Sequence, residues 1–147
     1  MDTPETLQTV ADDEVLYRAI RSDANLLKYD DDVNPRISSN AFNDALRRPS
    51  VDRACLCTAG PTECQMRFAP GSGVLSLLTS DVREISATHG VTGIVYCADV
   101  EAVPIPNNAT HAELYGKPQF DTDKVFVRIK HALARIAQLE LAPTPKT

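Results

Sequence analysis

Asp123-Lys-Val-Phe-Val-Arg-Ile-Lys-His-Ala-Leu-Ala-Arg-Ile136, continuing through Ala-Gln-Leu-Glu-Leu141, is the one long helical pattern in this sequence. Val125, Ile129, Ala132 or Leu133, and Ile136 recur three or four residues apart, which lines them up on one buried stripe. Phe126, Leu133 and Ala137 widen that stripe. Asp121 or Thr122 stands where a side-chain oxygen can cap the first turn. The spacing predicts a helix over 123–141, with Pro143 and Pro145 ending the order. Such a helix buries its stripe only against another layer, and the rest of the chain must supply it.

Outward from the helix, the residues suited to that layer are short and β-branched. Val91-Thr-Gly-Ile-Val-Tyr-Cys-Ala98 is the strongest strand pattern. Glu14–Ile20 and Val74–Leu78 read as strands, and His111–Tyr115 alternates with Ala112 and Leu114 on one face. Residues 21–36, with Asp30-Asp31-Asp32 and Asn34-Pro35, read as a loop. Ser38 and Ser39 precede a short helix ended by Pro49. Residues 50–56 fit a helical turn or a strand equally, 62–68 fits a helical turn, and Asp81–Ile85 a short helix. The pattern predicts an α+β fold: a small mixed sheet of about four strands, with short helices and the long C-terminal helix packed on one face. Residues 13–141 are expected to form one domain, between disordered tails at 1–12 and 142–147.

Composition narrows the function classes. The 147 residues are 43% hydrophobic and 24% charged, the balance of an ordinary globular protein. No apolar run is long enough to span a bilayer. The acidic opening MDTPETLQTVADDEV lacks the apolar core of a secretory signal, so a cytoplasmic location is expected. A net charge of −5 disfavours broad nucleic-acid binding. Four cysteines, Cys55, Cys57, Cys64 and Cys97, include a single C-x-C. That is a poor match to a zinc site, so no metal is expected and the thiols read as small buried hydrophobes.

Some polar residues stand out by position. Arg18 lies inside the first apolar strand; pointing inward, its planar fork needs a carboxylate or a ligand anion. His111 and Glu113 project from the same face of a strand and could act as general base and orienter. Lys124, Arg128, His131 and Arg135 form a basic face on the long helix opposite its apolar stripe, fit for solvent or for an acidic surface. His89 and His111 lack the paired H-x-T/S spacing of a phosphodiesterase. There is no phosphate-binding G-x-x-x-x-G-K-S/T, no G-x-S-x-G and no H-E-x-x-H.

Two resemblances follow from these residues. Leu16-Tyr-Arg18, Ile37-Ser-Ser-Asn-Ala-Phe42, Pro49-Ser-Val-Asp-Arg53, Gly73-Val-Leu-Ser-Leu77, and Asn108-Ala-Thr-His-Ala112 with Gly116 resemble a group of small uncharacterised bacterial proteins. That implies a compact bacterial domain and no particular activity. Leu-Tyr-Arg on a first strand, later serines and a glutamate are also similar to ADP-ribosyltransferase-like toxins. That resemblance implies Arg18 and Ser38 or Ser39 as ligand-binding residues for NAD, and Glu113 as the transferring residue. The sequence lacks that group's Ser-Thr-Ser strand and its Glu-x-Glu.

The expectation is a binding or interaction module without a cofactor. It would recognise a partner protein or a small anionic ligand through Arg18, Ser38, Ser39 and the His111 edge. The alternative is an NAD-using transferase. Both require Arg18 to share a hollow with His111 and Glu113.

Overall fold

The computed structural model describes residues 9–23, 25–28 and 36–144. The acidic run at 30–32 and Asn34-Pro35 lie outside the described residues, as do most of the expected N-terminal tail and the last three positions.

The chain is mostly sheet. Strands β1 (Val15–Ile20), β4 (Ser50–Arg53), β5 (Gly73–Leu78), β6 (Ser86–Thr88), β7 (Val95–Ala102), β8 (His111–Lys117) and β9 (Gln138–Leu141) form one sheet in the order β6-β7-β8-β4-β1-β5-β9. Every neighbouring pair in it is antiparallel. Two residues each from β2 (Leu27–Lys28) and β3 (Arg36–Ile37) make a separate ribbon. Among the described residues the α-helices are α1 (Pro61–Phe68), α2 (Thr79–Arg83) and α3 (Asp123–Ile136).

This corrects the α+β expectation of about four strands in a mixed sheet. Three strands were hidden by their brevity. Residues 50–53 pair on both sides, with β1 and β8. Ser86-Ala-Thr88 pairs with β7 across a turn. The third reading to change is the end of the long helix. It stops at Ile136, and Gln138-Leu-Glu-Leu141 leaves it to cover the open edge of β5. Leucines at 139 and 141 fit a period of two as well as they continue a helical stripe, so only the presence of β5's unpaired edge decides. The strong strand also shifts. Val91–Ile94 belong to the hairpin turn, and β7 begins at Val95. The expected helix after Ser39 is a single 3-10 turn, Ser39–Phe42.

The two faces differ as the period of two requires. On β8, Ala112, Leu114 and Gly116 are buried while His111, Glu113 and Tyr115 face outward. The inner face receives α3 through Val125, Phe126, Ile129 and Leu133. That helix contacts β6 at one edge and β5 near the other, so the sheet curls about it. Gly116 leaves room for Phe120; a Cβ there would stand 2.6 Å from its ring. On the outer face α1 packs across β1, β5 and β9.

Among the described residues two charged side chains are buried, Asp52 and Arg53. Arg53 is 1% exposed and donates from Nε and Nη2 to the two oxygens of Glu14, at 2.8 and 2.7 Å. Val10, within the expected tail, is 2% exposed, and its carbonyl accepts from Arg83. Cys57 and Cys64 are buried as expected of small hydrophobes; Cys55 and Cys97 are exposed, contrary to that expectation. Among the described residues no helix is long and apolar enough to cross a membrane.

Candidate functional site

The site follows from where a ladder ends. β1 pairs with β5 over all its residues, from Val15 to Ile20, but with β4 only at Leu16↔Arg53 and Tyr17↔Asp52. On β4, Arg53 N–H donates to Thr110, just before β8, and the Pro49 carbonyl accepts from Leu114 on β8. By strand alternation, Ser50 and Asp52 turn their main-chain groups toward β1. Beyond Tyr17 the two strands part, and a cavity of about 470 Å³ opens in the gap. Its outer wall carries Tyr17, Asp52, Arg67, Asn108 and His111, and Arg18, Ile20 and Ala41 line its inner side.

Arg18 fills the position a strand would have taken. Its Nη1 donates to the Ser50 carbonyl at 2.8 Å, Nε to Ala41 at 3.1 Å and Nη2 to Asn43 at 3.1 Å. Five N–H groups make up the fork, so two stay uncommitted. Among the described residues no carboxylate forms an ion pair with it. Burial pulls its pKa down, and Asp44 only partly offsets this. A guanidinium held by carbonyl dipoles, with no carboxylate in ion-pair contact among the described residues, suits an anion.

The second arginine differs. Arg67 Nη1 donates to Asp52 at 2.9 Å and to Thr110, and Nη2 to Glu63 at 2.9 Å. Asn108 also donates to Asp52, at 3.0 Å. This network closes one wall and is internally satisfied. Behind it, burial first, then Asp52, pushes the Cys64 thiol well above its ordinary value, and burial holds Cys57 at about 11. Both remain protonated thiols at neutral pH and poor nucleophiles.

No family model, curated protein or solved structure matches this chain.

The candidate residues are thus only partly brought together. Arg18 and His111 line one cavity. Glu113, beside His111 on β8, accepts from Arg48 Nε at 2.7 Å, and Arg48 also bonds Glu101. It is therefore committed away from the imidazole. What orients His111 is the Val103 carbonyl, 2.8 Å from Nδ1, while Nε2 lies 3.1 Å from Ser50 Oγ. Ser38 spends its hydroxyl on the Asn40 N–H at the start of the 3-10 turn. Ser38 and Ser39 precede the lining residues Asn40 and Ala41 without lining the cavity. Lys124, Arg128, His131 and Arg135 are on α3, away from the cavity; Arg128 donates to the Thr88 carbonyl at 2.7 Å and serves helix-to-sheet docking. Among the described residues no group of three or more His, Cys, Asp or Glu could hold a metal. Sequence reading missed Ser50, Asp52 and Arg67. The signal for Ser50 and Asp52 is the alternation in Ser50-Val-Asp-Arg53, a stretch whose sequence fits helix or strand equally.

Proposed function

We propose that this chain is a binding module for a small anionic ligand, seated in the cavity between β1 and β4 with Arg18 as its anchor. The observation that supports this reading is the guanidinium itself. It lines a ligand-sized cavity, is fixed by three carbonyls, and has no carboxylate partner among the described residues. Ligand cavities of ~300–1,000 Å³ with a few fixed polar groups are the usual form of small-molecule sites. Arg21 adds positive charge at the lining, and Ile20, Leu26 and Phe68 supply apolar wall. That combination favours a short carbon skeleton bearing a carboxylate or phosphate.

Isothermal titration with small dicarboxylates and phosphate monoesters tests the reading. At least one class should bind, and Arg18→Lys should weaken it roughly 10- to 100-fold, since a charge-assisted fork contact is worth ~1.5–3 kcal/mol. Arg21→Gln, at the exposed end of the lining, should weaken it less. Absence of binding at millimolar concentration, or binding indifferent to both changes, would overturn the proposal.

A further inference from the structure

The cavity wall holds a second arrangement, built on Ser50 and His111. The two residues sit diagonally across adjacent strands, since Asp52 pairs with His111 and Ser50 with Glu113. All four side chains therefore share the outer face. The Val103 carbonyl can only accept, so His111 carries its proton on Nδ1. In the neutral imidazole Nε2 is then a lone-pair acceptor, and the Ser50 hydroxyl donates to it at 3.1 Å. A hydroxyl, a base within hydrogen-bond reach of it, and a fixed group orienting the base are the three parts of an activated nucleophile. Here a main-chain carbonyl takes the orienting role that a carboxylate has in the familiar triad.

The surroundings agree. Ser50 is exposed and lines the cavity, so a substrate can reach it. Arg18 Nη1 donates to the main-chain carbonyl of the same residue at 2.8 Å, so the guanidinium and Ser50 line the cavity together. Other nucleophile types in the lining are disabled. Cys64 is held as the thiol, and burial and then Glu140 raise the pKa of Tyr17.

We propose that Ser50 and His111 are the nucleophile and general base of a hydrolytic site for small carboxylic esters bearing an anionic group near the acyl carbon. Only the choice of an anionic substrate rests on the anion-binding reading above. Ser50 Oγ forms a bond to the acyl carbon while its proton passes to His111 Nε2. The tetrahedral adduct collapses, the carbon–oxygen bond to the alcohol breaks, and Nε2 returns the proton to the leaving oxygen. Water then attacks the acyl-serine and gives a proton to Nε2, and the bond to Oγ breaks as that proton returns to Oγ. The sum is ester plus water to acid plus alcohol.

Two measurements test this on the intact protein. A fluorophosphonate probe should add one adduct by mass, mapped to Ser50. It should vanish in Ser50→Ala and form at least 100-fold more slowly in His111→Gln, because a general base contributes about that much or more. Turnover of 4-nitrophenyl hemisuccinate should exceed that of 4-nitrophenyl acetate in kcat/KM by tenfold or more. No adduct on Ser50 and no turnover of either ester would overturn the hydrolytic site, while anion binding by titration would still stand. An adduct with equal turnover of the two esters would keep the dyad and overturn its anionic substrate class.

Discussion

At the scale of single residues, the outer face of the sheet is governed by arginines that each gather several acceptors. Arg83 is one of them. Its Nε donates to Asp99 at 2.7 Å, Nη1 to Asp12 at 2.6 Å and Nη2 to the Val10 carbonyl at 2.7 Å. Lys117 Nζ meets the other Asp99 oxygen at 2.7 Å, and the Val100 N–H donates to the oxygen that Arg83 holds. Burial acts to raise the Asp99 pKa, but Lys117, Arg83 and the Val100 N–H outweigh it and hold the carboxyl at about 2. A depressed carboxylate stabilises the fold above its unfolded value, and that contribution is lost as pH falls toward the folded value. The window therefore runs from about pH 4 down to about pH 2. Because Lys117 is exposed, the full linkage energy is screened, and about 1 kcal/mol is expected. Urea denaturation of Asp99→Asn should show a flatter acid limb than wild type by that amount. Parallel limbs would show that the cluster is neutral toward folding.

At the scale of elements, α3 is set at its start by Thr122, whose side chain accepts from the Val125 N–H at 3.3 Å. Thr122→Ala should lower stability by ~1 kcal/mol, read as a shift in denaturation midpoint without a change in slope. An unmoved midpoint would mean that the apolar stripe alone holds the helix. The start and the buried stripe of α3 were legible because capping and a 3.6-residue period are local. Its end was not. Nothing local distinguishes Ala137-Gln-Leu-Glu-Leu141 as helix or strand, and the decision lies with an edge of β5 more than sixty residues earlier. The same holds for β4, a four-residue strand whose identity comes from partners on both sides. Arg18 was legible as a candidate because a charge within an apolar strand is a local contradiction. Ser50 was not, since its relation to His111 exists only after β4 and β8 are in register.

At the scale of the whole molecule, the sheet is continuous in order but uneven in its stitching. β1, β5 and β9 form one block, and β6, β7, β8 and β4 another, with the two joined in the main chain at Leu16↔Arg53 and Tyr17↔Asp52. α3 reaches elements of both blocks, and the Arg53–Glu14 pair ties them at one end of the seam. At the other end stands Arg18, reaching across to the Ser50 carbonyl. Such a seam behaves as a clasp. A molecule that occupies the gap and engages both β1 and β4 would press the blocks together, so its arrival should be felt in the two pairs that join them. Hydrogen exchange at the Tyr17 and Asp52 amides should slow when an anion occupies the gap, while amides deep in the β7–β8 pairing keep their rates. Uniform slowing across the sheet would instead signify a general rise in stability. Under the proposed anion binding, a small solute held in this gap would work as a missing rung, and its release would loosen the molecule along one line and nowhere else.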